Sequence, residues 1–264
     1  MKKKAFIVCL VSLSLTLALI YISECMMTPS FEKGYQPKAT LSSGGIKNAH
    51  LVVLVHGIFG DGQRLDPLTE SLEENGYVCF VPDLKPNNAH YGIEDLALKL
   101  NAEINAHWGQ DAEFAIVGFS MGGLVSRCYL QELGGAQRCR ALITISSPHN
   151  GTALAYALSS RGIEEMRPQS ELLEKLNSES SLMALQEMPI HSYYTQFDGV
   201  IVPARSSEWE SAHNQKFWSL FHPLMIYQAK VQEKLIEDLD LVFKEKQTTK
   251  TNQAIDSTTP QKRI

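Results

Sequence analysis

What most constrains this chain is a set of uninterrupted apolar runs: LVVLV at 51–55, FAIV at 114–117 and ALITI at 141–145. Each is rich in β-branched residues, too short for an ordinary helix, and without the polar–apolar alternation of a strand with one wet face. Such runs fit strands buried on both faces, as in a parallel sheet covered by helices. Between them lie segments with helical spacing: residues 64–75, residues 93–107 with Ile93, Leu96, Ala97, Leu100 and Ile104, and the stretch after Ser120. YVCFVPDL at 77–84 reads as a further strand, IHSYYTQF at 190–197 as the fifth in chain order, and KFWSLF at 216–221 as a weak sixth. Residues 223–243, with Leu224, Tyr227, Val231, Leu235 and Leu239 in register, read as a closing helix. Strands alternating with helices predict an α/β fold: a mostly parallel sheet with helices on both faces. The connection over 147–188 is too long for a plain loop. It holds the helical patches SELLEKLN and SLMALQEM and is expected to form a small helical cap over one edge of the sheet.

The folded domain is therefore expected over 50–243, and the flanks read differently. Lys2, Lys3 and Lys4 precede an uncharged run, Ala5–Ile22, of 18 residues. A basic start and an apolar stretch mark an export signal, and this one is long enough to span a bilayer. Residues 1–25 are thus a signal peptide or an N-terminal membrane anchor, with the remainder exported: held at the outer face of the membrane, or secreted after cleavage. ISEC is similar to a bacterial lipoprotein cleavage site ending in Cys25, except that Glu24 replaces the usual small residue. Residues 26–49 form a Pro-, Gly- and Ser-containing lead-in, and the Thr-, Gln- and Lys-rich tail 244–264 is expected to be disordered.

A formal charge of −5 with no basic block argues against a nucleic-acid partner. Five cysteines are too few for a disulfide scaffold, and none of their spacings suits zinc. Cys79 reads as a buried apolar residue, while a Cys128–Cys139 pair is left open by the sequence. No cofactor and no metal are implied.

The chemistry is concentrated in AIVGFSMGGLVSR, 115–127. Glycine costs a helix about 1 kcal/mol and gives a strand nothing to pack, yet three flank one serine. G-x-S-x-G between a strand and a helix is the context of a nucleophile elbow, a strained turn that stands the serine hydroxyl at the C-terminal edge of the sheet. Gly118 and Gly122 then remove side chains that would collide with the neighbouring strand and helix, and Gly123 lets the helix approach. The first run ends in HGIFG, whose bend exposes the N–H of Ile58; the helix start exposes that of Met121. Two such donors would stabilise a carbonyl oxygen as it turns negative, each worth about 3–4 kcal/mol of barrier.

A serine nucleophile needs a base, and the base an orienting acid; behind a nucleophile elbow their chain order is Ser, acid, His. Asp198 directly follows the fifth strand and is the sole aspartate between Ser120 and the last helix. His222 follows the sixth strand, before Pro223. His213 precedes that strand, His191 falls at the opposite end of the sheet, and His56 comes too early, where it braces its loop. Phe59, Phe119 and His149 are expected to line the substrate site.

HGIFG, GFSMGGLVSR, TISSPHNGT, RPQSELLEKLN and DGVIVP, in that order over residues 51 to about 230, together resemble the α/β-hydrolase lipases and esterases. The likeness is to bacterial triacylglycerol lipases and relatives that deacylate lipid anchors. The resemblance implies an α/β-hydrolase fold with Ser120 as nucleophile, Asp198 as acid, His222 as base, and Ile58 and Met121 as oxyanion donors. Phe119 stands where many members have His, and the cap is shorter than in large interfacial lipases. The implied partner is a lipid or small ester substrate, with membrane association through the N-terminal segment. An acyltransferase or thioesterase with the same residues, and an inactive membrane-tethered binding module, remain as alternatives.

Overall fold

The computed structural model describes residues 49–257, with side chains described through Lys244. The readings made for residues 1–25 and for 26–48, the Cys25 motif included, fall outside the described residues. Six strands form one sheet: β1 (His50–Val55), β2 (Tyr77–Phe80), β3 (Phe114–Phe119), β4 (Cys139–Ile145), β5 (Ile190–Thr195) and β6 (His213–Phe217). Their order is β2-β1-β3-β4-β5-β6, and every neighbouring pair is parallel.

The apolar runs become the centre of this sheet because successive side chains alternate between its faces. Val53 and Val55 point into one core with Ile116, Leu124 and Leu142. Val52 and Leu54 point into the other with Val117, Ile143 and Leu235. The first face is covered by α2 (Ile93–Trp108) and α3 (Met121–Glu132), the second by α1 (Asp66–Glu74) and α7 (Ala229–Ser257). On α2 the buried residues are Ile93, Leu96, Ala97, Leu100, Ile104 and Trp108, the spacing read from the sequence.

The segment between β4 and β5 folds as short pieces: α4 (Arg161–Glu165), α5 (Glu171–Leu176) and α6 (Glu179–Leu182), with 3-10 turns at Ala153–Tyr156 and Met183–Leu185. Ile163, Met166, Leu172, Leu173 and Leu176 bury these pieces against the first core. Ser170 and Ser178 cap α5 and α6 through their hydroxyls.

Several boundaries differ from the sequence reading: β2 ends at Phe80 rather than 84, β5 at Thr195 rather than 197, and the last helix begins at Ala229, after a 3-10 turn over His222–Tyr227, rather than at 223. The sixth strand is His213–Phe217, not 216–221, and the apolar Trp218, Leu220 and Phe221 are exposed beyond it. As an edge strand paired only with β5, it needs no apolar signature. The last helix does not stop at 243: α7 runs to Ser257, and residues 258–264 lie outside the described ones. Neither glycine nor proline interrupts it before Pro260, and Lys, Glu and Gln favour helix. Asp238 ties α7 to the sheet, accepting from Tyr193 Oη at 2.5 Å, Lys234 Nζ at 2.6 Å and His191 Nδ1 at 3.0 Å. Burial alone would raise the Asp238 carboxyl, but these three donors outweigh it and hold its pKa at about 2.

The chain runs from β1 outward to β2, then crosses back to β3 on the other side of β1. Connections leaving the C-terminal ends of β1 and β3 therefore diverge, opening the crevice where ligands bind in open α/β sheets.

Candidate active site

Ser120 stands at that crevice, directly after β3 and before α3. Its backbone is at φ 56°, ψ −125°, a strained region for any residue with a side chain. Its N–H donates to Ile145 O of β4 at 2.8 Å, which fixes the bend to the sheet. The glycines around it have no room for a side chain. A Cβ on Gly118 would meet Gly123 Cα at 2.6 Å, one on Gly122 would overlap Val55 O, and one on Gly123 would overlap Ser147 Oγ. The glycine spacing is thus a requirement of helix α3 packing onto the ends of β1 and β4.

Asp198 and His222 come from the loops after β5 and β6. His222 Nδ1 lies 2.8 Å from Asp198 Oδ2, and both side chains are buried. Asp198 Oδ1 accepts the N–H groups of Val200 at 2.9 Å and Ile201 at 2.8 Å. The imidazole packs on Phe119, the residue before Ser120, with ring centroids 4.9 Å apart. Base and acid therefore sit on the flank of the serine bend. His213, at the start of β6 and exposed, and His191, at the start of β5, lie at the other end of the sheet.

The β1 loop meets the bend directly: a Cβ on Gly57 would lie 2.9 Å from Ser120 Cβ. Phe59 N donates to Asn87 O, and Gly60 N to Gly57 O. Among the described residues, no hydrogen bond from the N–H groups of Ile58 and Met121 to a protein acceptor is seen. His56 is buried, with Nδ1 3.0 Å from Gly57 O, and burial lowers its pKa.

An apolar cavity opens beside Ser120. Ile58 and Phe59 form one wall, Leu154, Ile163 and Met166 of the cap another, and Val200 and Ile201 a third, with Pro148 and Thr152 also lining it. Two residues expected to line the site do not. Phe119 is buried in the second core behind the bend. His149 is fully buried in a polar network: Nε2 lies 2.9 Å from Thr144 Oγ1, Nδ1 3.4 Å from an Arg127 nitrogen, and the ring stacks on Trp209. Burial, then the Arg127 charge, hold His149 well below its ordinary pKa. Sequence position places Phe119 at the end of β3 and His149 in the loop after β4, and side-chain direction decides against both. The cavity walls Val200 and Ile201 were within sight, two and three residues past Asp198 in DGVIVP.

Cys79, Cys128 and Cys139 are free and buried, and Cys128 and Cys139 are not paired with one another. Among the described residues, no three His, Cys, Asp or Glu side chains are placed to hold a metal ion, and no helix is long and apolar enough to cross a membrane.

Sheet order, serine bend and crevice define an α/β-hydrolase fold, and known structures share it. A Bacillus licheniformis lipase superposes with a TM-score of 0.59 at 16% identity, over 79% of this chain and 96% of that one. Aspergillus fumigatus lipase B gives 0.65 at 15%, over 78% of this chain and 59% of the other. A thermostable carboxyl esterase from Bacillus coagulans gives 0.53 at 12%, over 80% and 99%. Comparison with curated proteins found no match. The model of the palmitoyl protein thioesterase family matches residues 51–183, just over half of the chain, and the chain belongs to that family.

Proposed function

We propose that this protein is a serine ester hydrolase that cleaves carboxylic, lipid acyl esters through an acyl-enzyme on Ser120. The observation that carries the reading is the strained Ser120 lining an apolar cavity, flanked by the buried Asp198–His222 pair. In this mechanism Ser120 Oγ attacks the acyl carbonyl while His222 takes its proton. Asp198 keeps the imidazole in the tautomer with Nδ1 protonated and stabilises the imidazolium. The N–H groups of Ile58 and Met121 receive the oxyanion. Collapse expels the leaving group, which takes the proton from His222. Water, deprotonated by the same histidine, then attacks the acyl-enzyme and releases the carboxylic acid and Ser120.

An apolar acyl group is favoured by the cavity walls and by the exposed Phe197, Trp218, Phe221 and Leu224, which sit on the acid and base loops. A second reading, thioester hydrolysis, uses the same residues with a thiolate leaving group and is favoured by the family match over 51–183. In either case the lysine-flanked apolar run Ala5–Ile22 would keep the domain at, or carry it across, a membrane.

The test is hydrolysis of p-nitrophenyl esters across acyl lengths, beside acyl thioesters of the same lengths. We expect turnover that rises with chain length. Ser120→Ala and His222→Ala should each abolish it, with His213→Ala retaining most activity. Equal loss from both histidine variants would remove His222 from its role, and a sharp fall beyond butyrate would turn the reading toward small esters. Failure of a fluorophosphonate to label Ser120 in folded protein would favour a binding module.

A further inference from the structure

The acid loop is held at both ends by a buried threonine hydroxyl, and nothing in the triad reading assigns either one. Before Asp198, Thr195 Oγ1 donates to Ser219 O at 2.7 Å and accepts Ser219 N–H at 3.3 Å and Phe197 N–H at 3.4 Å. After it, Thr152 Oγ1 donates to Val200 O at 2.8 Å and accepts Val202 N–H at 2.9 Å and Leu154 N–H at 3.3 Å. A hydroxyl has one proton and two lone pairs, so each side chain uses all it has on backbone from two different loops.

The partners are what give this meaning. Ser219 opens the loop that carries His222, so Thr195 fixes acid loop to base loop directly. Thr152 sits at the root of the cap, and its own N–H donates to Met166 O at 2.9 Å. Leu154 and Met166 both wall the cavity beside Ser120, and so do Val200 and Ile201. Thr152 thus fixes the far end of the acid loop to the cap element that walls the cavity. Between the two clamps, Asp198 keeps one oxygen on Val200 and Ile201 and offers the other to His222.

We infer that Thr152 and Thr195 are positioning residues: together they hold the Asp198 carboxylate in line with His222 Nδ1. The inference rests on the acyl-transfer reading for its kinetic consequence but not for its geometry. Valine has the shape of threonine without the hydroxyl, and serine keeps the hydroxyl alone. Loosening a catalytic group by about 1 Å can cost on the order of 100-fold.

Thr152→Val and Thr195→Val are expected to lower kcat by about 10- to 100-fold, and for Thr195→Val, at a position that does not line the cavity, KM should change by less than about threefold. The acid limb of kcat/KM should move to lower pH, because a less well placed carboxylate stabilises the imidazolium less. The downfield proton NMR signal of His222 Nδ1–H should weaken or move upfield in the same variants. Thr152→Ser and Thr195→Ser should restore all three. Thr152, nearer the surface, supplies a folded variant should the Thr195 change prevent folding; Thr152→Ala is the second choice there.

A folded valine variant with wild-type kcat, acid limb and downfield signal would overturn the inference. Serine variants as impaired as the valine ones would do so too, because the hydroxyl would then not be the cause. If wild-type protein neither turns over esters nor labels at Ser120, the catalytic reading fails while the NMR signal still decides the clamp.

Discussion

Ser120 is where sequence, backbone strain and proposed chemistry meet in one residue. A side chain held at φ 56°, ψ −125° costs about 1–3 kcal/mol. Glycine there would be relieved of that strain but would lose about 0.4–1 kcal/mol through its freer unfolded chain. Ser120→Gly is therefore expected to be more stable than Ser120→Ala by about 1 kcal/mol, or about 2–4 °C in Tm for a domain of this size, with both inactive. Equal melting temperatures in differential scanning calorimetry would mean that the bend is not strained. At this scale the sequence is informative where a position admits one solution. Gly118 and Gly122 announce their crowding because no larger residue fits between α3 and the strand ends. Asp198 and His222 were found from chain order, and the structure brings them together at 2.8 Å. Phe119 and His149 were misplaced because an apolar ring and an imidazole look alike, in sequence, on a pocket wall or in a core. Thr152 was passed over because a hydroxyl next to Gly151 reads as ordinary loop chemistry; its value lies in joining its own turn to backbone near Met166 and Val200, far off in the chain.

At the scale of elements, the least legible part is the join between α3 and the cap. Arg127 is fully buried on α3, beneath the cap, and burial pushes its pKa down to about 9. Its partners are a backbone carbonyl, two side-chain amides, a ring nitrogen of His149 and the face of Trp209. One terminal nitrogen donates to Leu176 O at 2.7 Å and Asn177 Oδ1 at 2.8 Å, Nε donates to Gln131, and the guanidinium lies 4.0 Å from the Trp209 ring centroid. Periodicity marks position 127 only as part of a helix, and an arginine there would ordinarily be assigned to solvent. A planar fork of five donors can satisfy a helix end and stack on indole at once, which lysine cannot. Arg127→Lys should therefore cost more than Arg127→Met: the ammonium stays buried with fewer partners, whereas methionine removes the charge and fills the space. Losses of about 3 and about 1–2 kcal/mol are expected, with residues 152–188 the first to be cut by a protease. A lysine variant that melts with the wild type would show that the guanidinium does not hold the cap. The weak sixth strand was misread for a related reason: β6 exposes four of its five side chains, so apolar content pointed to the loop after it.

For the whole molecule, the alternation of apolar runs and helical spacing was enough to give a parallel sheet with two covered faces. The order β2-β1-β3-β4-β5-β6, and with it the crevice between β1 and β3, depends on handed crossovers that no local pattern encodes. That architecture also buries titratable groups that take no part in the proposed proton transfers, and this fixes how the fold responds to acid. His149 and His56 are both held below the ordinary histidine value of 6.5, in each case chiefly by burial. The groups facing His149 are Arg127, Thr144 and Trp209, none of which can compensate a second positive charge. Because the folded pKa is depressed, stability is complete above the unfolded value near 6.5. It falls as pH drops below that value, since the unfolded chain takes up the proton first. Each such histidine removes up to about 1.4 kcal/mol per pH unit until its folded pKa is reached. Asp238 adds nothing in this range: with a folded pKa of about 2, its contribution is lost only between about pH 4 and 2. Melting temperature should therefore decline steadily from pH 6.5 to 5.5. His149→Gln, which keeps an amide toward Thr144 but cannot take a proton, should flatten the decline by about 2–5 °C over that unit. A His149→Gln protein that loses stability as steeply as the wild type would assign the acid response to other groups.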